Sequence, residues 1–168
     1  MCGILGLWSP RSSRAAIEFC LRRLAHRGPD DQGQYVDPQW GVALGHVRLS
    51  ILDLSAAGHQ PMIGAGGHVV LVFNGEIYNF RELRSELESR GASFCGNSDT
   101  EVLLELYLHE GLAMLTRLNG ISAFAIWDKR SQELLLARGS LRCCRASVRI
   151  NRNRRRRAQL LGFHESSK

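Results

Sequence analysis

Apolar residues recur along this chain in two rhythms. Runs that are apolar throughout or alternate with period two read as strands: CGILGLW at 2–8, GVALGHVRLSIL at 41–52, HVVLVFN at 68–74, ISAFAIWD at 121–128 and ELLLAR at 133–138. Ile17, Cys20, Leu21 and Leu24 recur instead at helical spacing, with Ser12 or Ser13 placed to cap. FRELRSELESRG at 80–91 and TEVLLELYLHEG at 100–111 read as two further helices. Asn79 stands at the capping position of the first of these, with Glu82 three residues on and Gly91 as a stop. HRGPDDQG at 26–33, GAGG at 64–67 and KRSQ at 129–132 carry turn chemistry, and DLSAAGHQP at 53–61 reads as an irregular connection. Successive strands with helical pairs between them predict antiparallel α+β packing rather than regular βαβ alternation.

Composition narrows the class. A chain of 168 residues suits one domain that buries roughly 70% of its unfolded surface. It holds no apolar run of the ~18 residues a membrane span needs, which argues against a membrane partner. No basic stretch precedes GILGLW, so a secretory signal is not expected, and Cys2 occupies the position where myristoylation needs glycine. The five cysteines (Cys2, Cys20, Cys95, Cys143, Cys144) are odd in number and scattered, without zinc-ligand spacing. A reducing, cytoplasmic compartment and no metal site are expected.

The net charge of +6 misleads. Residues 1–138 hold 13 basic against 15 acidic side chains, whereas residues 139–168 hold nine against one. The body therefore lacks the footprint of a nucleic-acid binder. The basic excess belongs to a final segment, containing NRNRRRR, in which periodic patterning stops. Such a tail can bind RNA through its phosphates, yet it has no interleaved aromatics apart from Phe163.

The opening MCGILG carries candidate chemistry. With Met1 removed, Cys2 would hold a thiol (pKa about 8.5) and an α-amine (about 7.7) in one residue. That pairs a nucleophile with a base, able to attack an amide carbonyl and form a thioester. A buried structural cysteine in a first strand is the plainer alternative. The attack needs donors for the developing oxyanion, and Asn74 and Gly75 in FNGEIYN offer an amide and a backbone N–H. An ordinary Asn-Gly turn accounts for the same two residues. Arg48 could hold a substrate carboxylate by its planar fork, or simply snorkel or pair. Glu76 and Asp99 could receive an ammonium, and Asp99 could equally cap the helix from Thr100.

Six segments in order, MCGILG, HRGPDDQG, GHVRLSILDLSAAGHQPM, FNGEIYNFRELRSELESRG, SDTEVLLELY and LNGISAFAIWD, resemble the N-terminal glutaminase domain of glutamine-hydrolysing asparagine synthetases. These are class II glutamine amidotransferases, and the likeness covers about residues 1–138. It implies an α+β fold of four αββα layers, the N-terminal-nucleophile sandwich of two antiparallel sheets between helices, incomplete at the C-terminus. It implies that L-glutamine is the substrate and Cys2 the nucleophile. Asn74 and Gly75 would form the oxyanion hole, and Arg48 would hold the α-carboxylate. Leu49, Ser50, Ile51 and Leu52 would line the pocket, and Glu76 and Asp99 would receive the α-ammonium. The glutaminase step would need no cofactor. Ammonia would pass to a synthetase domain that uses aspartate, ATP and Mg²⁺. That domain's SGGxDS loop does not occur in these 168 residues, so the resemblance implies a glutaminase without its synthetase. Another class II amidotransferase is the first alternative, and a basic-tailed RNA-binding protein the second.

The family usually continues LLLAR with DRLG, whereas this chain reads LLLARGSLRCCRASVRINRNRRRR. Dropping one nucleotide from a suitable choice of codons for Arg-Gly-Ser-Leu-Arg-Cys at 138–143 gives Arg-Asp-Arg-Leu-Gly. A shifted reading frame from about Gly139 is one expectation for residues 139–168. An open sheet edge after ELLLAR is the structural expectation that goes with it.

Overall fold

The computed structural model describes residues 2–50 and 58–139, and residues 157–163 as backbone. Its strands are β1 (Gly3–Trp8), β2 (Asp31–Asp37), β3 (Val42–Arg48), β4 (Met62–Gly64), β5 (Val69–Ile77), β6 (Gly120–Asp128), β7 (Glu133–Gly139) and β8 (Arg157–Phe163). Its helices are α1 (Arg14–Arg22), α2 (Phe80–Ser89) and α3 (Asp99–Glu110). One sheet has the order β1-β3-β2 and is antiparallel throughout. The other has the order β4-β5-β6-β7-β8, antiparallel except where β8 joins β7.

Strand alternation builds the layers. On β5, Val69, Leu71 and Phe73 face α2 and α3, where they pack with Leu83, Leu87, Val102 and Leu106. Val70 and Val72, one residue out of phase, face the small sheet and meet Val42 and Leu44 of β3 with Trp127 of β6. The other face of β3 sets Ala43 and Val47 against Ile17 and Leu21 of α1. The order helix, sheet, sheet, helices is the four-layer αββα arrangement expected from the resemblance.

Local chemistry sets the element ends. Ser13 caps α1 by accepting from the Ala16 amide at 3.2 Å. Ser98, not Asp99, caps α3, accepting from Glu101 at 3.2 Å. Asn79 stands at the start of α2 but does not cap it. Its side chain donates to the Arg117 carbonyl at 2.9 Å and accepts from the Asn119 amide at 3.0 Å. That fastens the end of β5 to the start of β6.

Three expectations need correction. Residues 31–33, read as loop, begin β2, a polar strand that sequence rhythm did not reveal. The strand from residue 41 ends at Arg48, so Leu49 and Ser50 lie beyond it, and Ile51 and Leu52 lie outside the described residues. The edge of β7 is paired rather than open, because β8 lies parallel along it from Glu133↔Arg157 to Gly139↔Phe163.

At one end of the inter-sheet layer, Trp8 and Trp40 pack on Trp127, with ring centroids 5.8 Å and 6.3 Å away. The buried Asp37 carboxylate anchors this end, accepting from Trp127 Nε1 at 3.1 Å and from the Trp40 amide at 3.3 Å. Asp37→Ala leaves both donors without their acceptor and is expected to cost roughly 1–3 kcal/mol, read as a lower urea midpoint by circular dichroism.

Toward the other end lies His46, only 1% exposed. Neither ring nitrogen has a hydrogen-bond partner among the described residues. Burial pushes its pKa down to about 4, an effect that the nearby Phe73 backbone and Asp31 only partly offset and that Arg48 and His59 reinforce. Below the ordinary histidine pKa near 6.5, the unfolded chain takes up a proton that the folded one refuses. Stability is therefore expected to fall by roughly 3 kcal/mol between about pH 6.5 and pH 4 through this residue. Asp99, whose pKa is raised, offsets part of that loss. His46→Leu is expected to flatten the slope in urea midpoints measured across that window.

Candidate functional site

Cys2 directly precedes β1, and Gly3 pairs with Val47, so the thiol enters beside the last residue of β3, Arg48. Cys2 Sγ accepts from the Leu49 amide at 3.3 Å and lies 3.6 Å from the Leu49 carbonyl. It is half-buried and belongs to no disulfide. The thiol is thus tethered to the segment leaving β3 rather than packed in a core.

The HRGPDD segment wraps this corner. Arg27 Nε donates to the Cys2 carbonyl at 3.2 Å. The Asp30 amide donates to the Arg48 carbonyl at 3.0 Å, and its carboxylate accepts from the Ser50 amide at 2.7 Å. Asp31 pairs with His59 Nδ1 at 2.7 Å. Two consecutive acids therefore hold residue 50 and residue 59.

Alternation along β3 puts Arg48 on the same face as Val42 and Leu44, the face that looks across at β5. Arg48 is 9% exposed, which sets aside a snorkelling arginine. A Cβ on Gly58 would meet Arg48 Nη2 at 2.1 Å, so the missing side chain at Gly58 makes room for the guanidinium.

On β5, Asn74 is in phase with Val70 and Val72 and therefore also faces the small sheet. Asn74 pairs with Ala123 and Gly75 with Ser122 inside a continuous ladder, which overturns the reading of Asn-Gly as a turn. Gly75 is needed for space: a Cβ there would stand 2.1 Å from the Ile121 carbonyl oxygen.

Asp99 opens α3 and is 5% exposed. Its carboxylate accepts from the Ile77 amide at 3.1 Å, fixing it to the end of β5. Burial raises its pKa most, the Ile77 and Thr100 amides lower it, and the negative charge of Glu76 raises it again. Glu76 itself is exposed. Glu76 near the end of β5 and Asp99 at the start of α3 thus add their negative charge at one place, which favours a cation.

The residues sequence reasoning left out are Arg27, Asp30, Asp31, His59 and Gln60. Gln60 Oε1 accepts from the Phe73 amide at 2.7 Å, and its Nε2 donates to Thr100 Oγ1 at 3.3 Å. Only the clustering of HRGPDD in a short loop hinted at the first three. Among the described residues no cluster of three or more His, Cys, Asp or Glu is arranged to hold a metal. No helix among them is long and apolar enough to cross a membrane.

Two sheets stacked between helical layers make a four-layer αββα sandwich, with Cys2 beside the end of β3. Residues 1–142 match the glutamine amidotransferase domain, and the chain belongs to that family. It is 40% identical over 144 residues to asparagine synthetase [glutamine-hydrolyzing] 1 of Bacillus subtilis, covering 82% of this chain and 22% of that protein. It is 43% identical over 155 residues to a putative asparagine synthetase [glutamine-hydrolyzing] of Mycobacterium bovis, covering 82% and 24%. An amidase of Gibberella zeae, chry2, is 39% identical over 151 residues, covering 82% and 22%. The chain thus spans between a fifth and a quarter of the length of these relatives. The glutamine phosphoribosylpyrophosphate amidotransferase of B. subtilis shares the fold at a TM-score of 0.65 and 23% identity, covering 77% of this chain and 35% of that one.

Gly75→Ala drives a methyl group into the backbone of β6. It is expected to lower stability by about 1–3 kcal/mol, seen as a lower urea midpoint with an unchanged slope.

Proposed function

We propose that this domain hydrolyses the side-chain amide of L-glutamine. Removal of Met1 frees the Cys2 amine, which takes the thiol proton as Sγ attacks the amide carbon. Asn74 Nδ2 and the Gly75 amide stabilise the oxyanion, and the amine returns the proton to the leaving nitrogen. Ammonia departs, leaving a thioester on Cys2. Water, activated by the same amine, then releases glutamate and restores the thiol. The step calls for no cofactor.

Recognition follows the substrate's charges. The Arg48 guanidinium holds the α-carboxylate, while Asp99 and Glu76 take the α-ammonium. The segment Leu49, Ser50, Ile51, Leu52 lines the pocket. The observation that carries this reading is the thiol tethered to the Leu49 amide, which sets the nucleophile one residue from the carboxylate-binding arginine.

The asparagine synthetase relatives support a parent activity in which the ammonia is delivered to an ATP- and Mg²⁺-dependent domain that amidates aspartate. In this reading residues 1–138 are the glutaminase domain, and the arginine-rich segment 139–168 is a departure that a shifted reading frame would produce. The setting is cytoplasmic.

Cys2→Ala is expected to abolish glutamate release from glutamine, and Asn74→Ala to lower kcat by about 10²–10³-fold. Hydrolysis that persists unchanged in Cys2→Ala would refute the mechanism.

A further inference from the structure

Resting on the glutaminase reading, we infer that Gln60 is a positioning residue that sets the oxyanion strand and the ammonium-binding helix in register with the arginine clamp. The geometry is that of a junction. Gln60 is 5% exposed, and both ends of its side-chain amide are bonded. Oε1 accepts from the Phe73 amide, the residue before Asn74, at 2.7 Å. Nε2 donates to Thr100 Oγ1, the residue after Asp99, at 3.3 Å. Two residues upstream, Gly58 lies against the Arg48 guanidinium.

The Phe73 amide has a reason to need this partner. Strand β4 pairs with β5 only from Met62↔Leu71 to Gly64↔Val69, so Phe73 lies past the end of that ladder. A side chain, rather than another strand, completes the backbone there. The bond lies one residue from the proposed oxyanion donors, so β5 is held on both edges at that point, by β6 on one side and by Gln60 on the other.

The backbone of Gln60 is fixed independently of its amide. A Cβ on Gly33 of β2 would stand 2.0 Å from the Gln60 carbonyl, so the segment rests directly on the small sheet. Cutting back the side chain therefore removes two links across the site while leaving this seat in place. Neither atom of Gln60 needs to touch glutamine for its loss to be felt. An error of about 1 Å between donors and nucleophile is enough for a loss near 100-fold.

The test is steady-state glutaminase kinetics on the full 168-residue chain, for wild type, Gln60→Met, Thr100→Val and Thr100→Ser, each assayed well below its own melting temperature. Gln60→Met is expected to lower kcat about 10–100-fold and raise KM, since both links are lost. Thr100→Val cuts only the link to α3, and is expected to raise KM with kcat within about twofold. Thr100→Ser keeps the hydroxyl and is expected to restore KM. Gln60→Met that melts lower but keeps both constants would overturn the inference, because the residue would then serve stability alone. Should Gln60→Met fail to fold, an unchanged KM in Thr100→Val overturns it instead. A wild-type chain that neither binds nor hydrolyses glutamine would overturn the glutaminase reading for this chain, and the inference with it.

Discussion

The contact between β3 and β5 across the inter-sheet layer is what the rest of the molecule depends on. Both strands alternate, so each must satisfy two cores at once: β3 packs α1 with one face and β5 with the other, and β5 packs α2 and α3 with its far face. Along the shared layer the residues run from apolar to polar. Val42 and Leu44 lead to His46 and Arg48, and Val70 and Val72 lead to Asn74. The same register that closes the core therefore delivers the polar groups to one end of the seam. No separate device is needed to bring them together, because a one-residue slip that turned Arg48 away would also bury the wrong face of β3.

Much of this was legible in the residues. The runs at 68–74 and 121–128 are β-rich and nearly uninterrupted because both faces are covered, and they became β5 and β6. The candidate residues stood out by type and place, an arginine in an apolar strand and an asparagine-glycine pair at a strand end, while their proposed roles came from the resemblance. β2 was missed for the opposite reason. It lies at the edge of a three-stranded sheet, where DQGQYVD meets the demands of pairing without an apolar rhythm. Asp30 and Gln60 were missed because they act on backbone amides 20 and 13 residues away, through bonds that leave no periodic trace.

The outer edge of β7 shows how a sheet edge is covered in this fold. Without a further neighbour, β7 would present a free row of amides and carbonyls. In this fold β8 takes that place in parallel, with one strand of the tail matched to the whole of β7. A parallel neighbour cannot follow by a tight hairpin, which accords with the 17 residues that separate Gly139 from Arg157. The edge of the sheet thus moves outward from β7 to β8.

The tryptophan cluster has an optical consequence. Trp8, Trp40 and Trp127 are the only indoles in the chain, and they sit together, with Asp37 holding Trp127 and the Trp40 amide. Cys2 lies six residues from Trp8 along β1, about 20 Å at the rise of an extended strand. Tryptophan fluorescence therefore reports on the packing of the two sheets at the far end from the thiol. The molecule carries its own gauge of integrity, placed about 20 Å from the thiol.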